Sequence, residues 1–187
     1  MDRRAGRSVS VTSTLTLPRT ASPSRSALDF DALYRAARDD VYAYVATLLR
    51  DRAAAEDATA LAFERAYRKQ RSFDSRRGGE RAWLFGIARH AALDELRRRK
   101  RHAALAADPP DESAPDPDEA VEAALRRTAV RAALAALPPR EREIVALKFH
   151  AGLDNAEIAD VLGVSVSNAG TLLHRAMTKL REATHAD

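Results

Sequence analysis

Apolar residues recur through most of this chain three and four positions apart, the spacing of a buried helix face. Phe30, Leu33, Ala37, Val41, Tyr44, Val45 and Leu48 form one such stripe and predict a helix over Leu28 to Leu49. A second helix is expected from about Ala53 to Arg71, with Asp51 placed to accept the free N–H groups of its first turn. The segment FDSRRGGE, Phe73 to Glu80, carries paired glycines and reads as a loop. Trp83, Leu84, Ile87, Ala88 and Ala91 then mark a third helix from Arg81 to about Arg101. Further on, Val121, Leu125, Thr128, Ala132 and Leu137 outline a helix stopped by Pro138 and Pro139, and Ile144, Val145, Leu147 and Phe149 a shorter one before Gly152. No sheet is expected. The pattern is all-α.

The stretch from Asp154 to Arg181 has the clearest local grammar. Asp154 and Glu157 have the spacing of a capping box, and Gly163 is a natural left-handed stop. The next helix places Ala169, Leu172, Leu173, Ala176 and Leu180 on one stripe and leaves Ser167, Asn168, Thr171, His174, Arg175 and Thr178 on the other side. Two helices joined by so short a turn make a helix-turn-helix, the arrangement that puts a polar helix face into the major groove. A solvated face in an ordinary helical bundle has the same spacing, so the pattern alone leaves both open.

Charge sharpens the division of the chain. Residues 1–26 hold five arginines against one aspartate and so carry the whole formal charge of +4; the rest balances. This tail lacks periodicity and reads as disordered. Within the balanced part, Arg97, Arg98, Arg99, Lys100 and Arg101 close the third helix, where the macrodipole favours cations whether or not a polyanion binds. An acidic run follows, Asp108, Asp111, Glu112, Asp116, Asp118 and Glu119, interleaved with prolines that forbid a helix. The expected organisation is a basic tail at 1–26, a helical domain at 27–103, a flexible acidic linker at 104–119 and a second helical domain at 120–185.

Composition removes several classes of function. Without cysteine the chain has no disulfide or thiolate chemistry, and a reducing compartment is expected. No apolar run approaches spanning length, and the start lacks the apolar centre of a secretory signal, so a cytoplasmic protein without membrane insertion is expected. His90, His102, His150, His174 and His185 are scattered without ligand spacing. There is no glycine-rich phosphate loop and no nucleophile elbow, and Glu141 and Glu143 at a helix start are accounted for by the macrodipole. The expectation is a protein that is not an enzyme, with no cofactor, metal or small-molecule substrate.

LPPREREIVALKFHAGLDNAEIADVLGVS followed by LHRAMTKLR resembles the C-terminal DNA-binding domain of bacterial extracytoplasmic-function sigma factors of the sigma-70 family. Separately, AAEDATALAFERAYR and AWLFGIARHAALDELRRRKR resemble the two central helices of their N-terminal domain. The resemblance spans roughly residues 28 to 183, in family order, with a linker between. It implies a dissociable subunit that binds core RNA polymerase, recognises promoter DNA and starts transcription, controlled by an anti-sigma factor. A stand-alone helix-turn-helix regulator that binds DNA without polymerase, or a protein-binding helical adaptor, remains the alternative.

Carried over position by position, the resemblance assigns the upstream (minus-35) promoter element to Ser165, Ser167, Asn168, Thr171 and Arg175, with His174 and Lys179 nearer phosphate. It assigns the melted downstream (minus-10) element to Phe73, Ser75, Arg76 and Arg77 of the loop and to His90, where the family commonly has Asn. Arg89, Arg97, Arg98 and Arg99 become phosphate contacts. Polymerase binding falls on Asp57, Leu61, Phe63 and Arg65 of the second helix and on Ile144, Leu147 and Lys148. Here Ala60 and Leu61 replace the family's usual Gln and Glu, and Gly170 and Leu172 stand where it often has Lys and Arg. Trp83 is expected in the core, and simple core packing is an equal reading of Phe63.

Overall fold

In a computed structural model the chain is described over residues 28–103 and 130–185. The basic tail, the acidic linker and the expected helix positions Val121, Leu125 and Thr128 lie outside these residues. Helices α1 (Phe30–Leu49), α2 (Arg52–Lys69) and α3 (Glu80–Ala103) form the first unit. The second holds α4, of which residues 130–136 are described, then α5 (Pro139–Phe149), α6 (Asn155–Leu162) and α7 (Val166–His185). Among the described residues there is no strand.

Local chemistry sets the breaks. Arg50 takes a left-handed conformation (φ 56°) at the end of α1, and Asp51 caps α2 by accepting from the Ala54 N–H at 2.8 Å. That backbone N–H, followed by the nearby Arg99, holds the Asp51 carboxyl below its ordinary range. Pro139 opens α5, where its missing N–H costs nothing. Arg142 reaches back to donate to the carbonyls of Leu134, Ala135 and Leu137 at the end of α4, where helix geometry leaves the last carbonyls short of backbone donors.

Small side chains let the first unit close tightly. Ala54, Ala55, Ala58, Ala62 and Ala66 are buried along α2, so α1 and α3 approach it closely. Larger groups fill the gaps: Phe63 meets Phe30 and Tyr34 edge-on, and Tyr44 meets Phe85 with ring centroids 5.5 Å apart. In the second unit α7 packs on α5 and α6.

The two units are docked. α5 lies on α1, α6 lies on α3, and one continuous set of buried apolar side chains runs through both. Ion pairing reinforces this contact, as the site geometry shows.

Candidate nucleic-acid interface

The helix-turn-helix is built as its residues dictate. Asp154 accepts from the N–H groups of Ala156 and Glu157, both at 2.8 Å, and Glu157 accepts in return from the Asp154 N–H at 3.0 Å. Gly163 adopts φ 67°, ending α6, and the Ser165 hydroxyl then accepts from the Asn168 N–H at 3.2 Å to start α7. Ala169 and Ala176 are buried, with Leu172, Leu173 and Leu180 packed beside them. Ser165, Ser167, Asn168, Thr171, His174 and Arg175 all lie exposed. Thr171 donates to the Ser167 carbonyl at 2.9 Å, which leaves its hydroxyl oxygen to accept.

Lys179 does not join that face. Its Nζ donates to both oxygens of Glu141 at 2.8 Å, and Glu141 is buried on α5. In this arrangement the cation is a brace between α7 and α5 rather than a phosphate contact.

On the first unit, the loop before α3 folds as two short turns, Gln70–Ser72 and Ser75–Arg77. Asp74 accepts from the Arg76 N–H and pairs with its guanidinium at 2.9 Å, which fixes the loop and aims Arg76 along it. Ser75 and Arg77 are exposed, and Gly78 (φ 143°) turns the chain into α3. Phe73 and Trp83 stand edge to face at 5.5 Å. Trp83 is half-buried and is therefore not wholly a core residue. Both rings line a cavity of about 580 Å³ with Arg77 and His90; across it stand Glu157, Asp160 and Val161 of α6. His90 Nδ1 donates to the Gly86 carbonyl at 2.7 Å, because a carbonyl can only accept. The neutral ring therefore keeps Nε2 as an acceptor.

The arginines expected on phosphate are all engaged. Arg97 pairs with Asp94 at 3.2 Å, Arg98 with Glu95 at 2.7 Å, and Arg99 with both Glu95 and Asp51 at 2.9 Å. These hydrogen bonds, Arg98 first, hold the Glu95 carboxyl below its ordinary range, and Arg65 does the same for Asp94. Arg97 and Arg98 remain largely exposed, so exchange of a carboxylate for a phosphate needs little rearrangement. Arg89 is different. Its Nε donates to Glu143 Oε1 at 2.7 Å, and the two side chains are only 19% and 8% exposed. The Tyr44 hydroxyl donates to the same oxygen at 3.3 Å, and burial, followed by this carboxylate, pushes the phenol well above its usual range.

Residues 33–102 match Sigma-70 region 2, and residues 127–180 match Sigma-70, region 4. The ECF RNA polymerase sigma factor SigL of Mycobacterium tuberculosis is 33% identical over 158 residues, which cover 80% of this chain and 88% of that protein. This chain belongs to the ECF sigma factor family. SigK of Mycolicibacterium vanbaalenii, also an ECF RNA polymerase sigma factor, is 28% identical over 165 residues, 84% of this chain and 83% of that one. In fold the sigma factor resembles RpoE of Bartonella quintana, solved with the anti-sigma factor NepR, at a TM-score of 0.72 and 23% identity, covering 85% of this chain and 98% of that one.

The residues expected to hold polymerase are divided by the fold of the sigma factor. Asp57 and Leu61 are exposed on α2, and Arg65 is half-buried with its guanidinium on Asp94 at 2.9 Å. Phe63 is only 7% exposed and belongs to the aromatic core. Ile144 and Leu147 are fully buried, so neither offers a surface to a partner in this arrangement. Lys148 donates to the Leu153 carbonyl at 3.1 Å, closing the turn after α5. Sequence reasoning also missed Glu141 and Glu143: both are buried partners of a cation rather than dipole-stabilised surface charges. Their separation by two residues, which sets them on different sides of a helix, was the available signal.

Proposed function

We propose that this sigma factor binds core RNA polymerase and reads a promoter at two places, the upstream element with the exposed face of α7 and the melted downstream element with the Phe73–Arg77 loop and His90. What carries the reading is the polar row Ser167, Asn168, Thr171, His174 and Arg175, held exposed on a capped helix-turn-helix in a chain that also contains region 2. A helix in the major groove can place Asn against adenine and Arg against guanine as bidentate pairs. In the loop, two aromatic rings beside exposed arginine supply a stacking wall and phosphate neutralisation, the two needs of a single-strand binder. Asp57 and Leu61 are the accessible polymerase contacts on α2. The work is binding and positioning, with no catalytic residue, and it takes place in the cytoplasm with an anti-sigma factor as the controlling partner. The relatives' shared name and the fold shared with an anti-sigma-bound protein support that assignment.

Run-off transcription from genomic promoter fragments, with core polymerase and the full chain, tests the proposal. Product that depends on both proteins is expected. Duplex binding equally strong without core, and no product with it, would instead identify a stand-alone regulator.

A further inference from the structure

We propose that the cleft between α1 and α2 is a binding site for a small, uncharged aromatic molecule that carries one hydrogen-bonding group. The cleft shares no residue with either proposed DNA-reading face.

Its walls suit a flat ring system. The cleft measures about 550 Å³, a size ordinary for sites that take small organic ligands. The rings of Tyr34 and Phe63 stand edge-on with centroids 4.8 Å apart, and Tyr42 and Ala60 extend the lining. Phe63 is buried, whereas Tyr34 is 40% exposed, so one ring forms the floor and the other the mouth. A ring inserted between them gains the edge and face contacts that aromatic groups favour.

A hydroxyl waits at the same place. Thr59 of α2 borders the cleft and is 8% exposed, and among the described residues its Oγ1 alone is a buried side-chain polar atom without a hydrogen-bond partner. Such a group destabilises the fold that contains it. Oγ1 is out of contact with solvent, so the residue's small exposure belongs to its other atoms. Threonine adopts two χ1 settings in helices, and rotation about that bond exchanges hydroxyl and methyl. The hydroxyl turned to the cleft can donate or accept.

The rim is charged but internally balanced. Arg38 pairs with Asp39 at 2.9 Å and Arg52 with Glu56 at 3.1 Å. An ionic ligand would meet one like charge for each opposite one, whereas a neutral ring leaves both pairs intact.

The probes are β-naphthol, an uncharged phenol on two fused rings, and naphthalene, the same rings without the hydroxyl. In titration calorimetry with the full chain, β-naphthol is expected to bind saturably, one to one, and roughly tenfold more tightly than naphthalene, the yield of about one hydrogen bond. The melting temperature should rise with its concentration. Thr59→Val keeps the side-chain shape and should erase the preference for β-naphthol while naphthalene binds as before. Ala60→Leu sets a larger apolar group at the mouth with little change in helix propensity and should weaken both probes by roughly tenfold or more. Circular dichroism and melting establish that both variants fold. Absence of saturable binding by either probe would overturn the proposal and leave the cleft to a partner protein's side chain. It would equally be overturned by a folded Thr59→Val that keeps the full preference, or by a folded Ala60→Leu that binds both probes as the parent does.

Discussion

Lys179 on α7 grips Glu141 on α5 with both carboxylate oxygens at 2.8 Å, which ties the helix that carries the polar reading row to the body of its own unit. The carboxylate is 12% exposed and the lysine 48%, so loss of the lysine leaves a nearly buried anion without its cation. Lys179→Ala is expected to lower stability by about 1–3 kcal/mol, below the cost of breaking a fully buried pair because water reaches the lysine side. The salt dependence of promoter binding should keep its slope, since the cation is not on phosphate. Urea denaturation and binding at two ionic strengths check both parts; unchanged stability with a shallower salt slope would restore Lys179 to the DNA face.

Asn168 and Arg175 are exposed and sit on the side of α7 away from Ala169 and Ala176. Substitution of either by Ala should weaken use of the upstream element by about 1–3 kcal/mol if each makes a bidentate base contact. Stability should stay within about 0.5 kcal/mol of the parent. Quantitative run-off on promoters with intact and scrambled upstream elements measures the first quantity and thermal melting the second. An equal loss on both templates would mean that the face touches something other than bases.

The helices were legible because each announces its own boundaries. Asp51, Asp154 and Gly163 act locally, through the N–H groups next to them or a single left-handed residue, and periodicity needs no knowledge of the rest of the chain. The partners of the charged residues were not legible. Arg89 and Glu143 are 54 positions apart, and nothing near either residue says that they meet. The same holds for Ile144 and Leu147: an apolar helix face suits a partner protein or a core equally well, and only packing against neighbouring helices decides. Docking of the two units was missed for a related reason. A polar linker speaks for separation, whereas the surfaces that meet are ordinary amphipathic helix faces.

Gly170 stands in the interior of α7, where the chain gives up helix propensity. A side chain begun there would meet only Asn155 Nδ2 at 3.8 Å, an ordinary contact. Gly170→Ala should therefore stabilise the protein by about 1 kcal/mol with no steric penalty. A melting temperature that falls instead would show that α6 and α7 need the closer approach that glycine permits.

With Nδ1 donating to the Gly86 carbonyl, the neutral form of the His90 ring leaves Nε2 to accept. An asparagine at this position offers both a donor and an acceptor. His90→Asn is therefore expected to reorder the downstream sequences that are used, whereas Arg98→Ala, at a position open to phosphate, should lower all of them together and flatten the salt dependence. One pooled library of promoter variants, transcribed at two salt concentrations, separates these outcomes. An unchanged ranking for His90→Asn would remove the residue from the reading site.

His150 connects acidity to the docking of the two units. It ends α5, its Nε2 lies 3.4 Å from Thr47 Oγ1 on α1, and its carbonyl accepts from Arg81. Burial holds the imidazole below its ordinary 6.5, with Asp40 opposing the shift only in part. The unfolded chain consequently takes up a proton as pH falls through about 6.5, while the folded chain does so only at lower pH. Stability contributed by the neutral ring is complete above that value and declines as pH falls through this window. The engaged carboxylates Asp51, Asp94 and Glu95 are held below their ordinary values of 3.8 to 4.5, so their stabilisation is complete throughout this window and is lost only as pH falls below those values. Melting temperature should therefore fall between pH 7.5 and 5.5 in the native chain. His150→Gln, which cannot titrate there, should flatten that curve. If the variant keeps the full pH response, the proton is taken up elsewhere and His150 is a passive part of the interface.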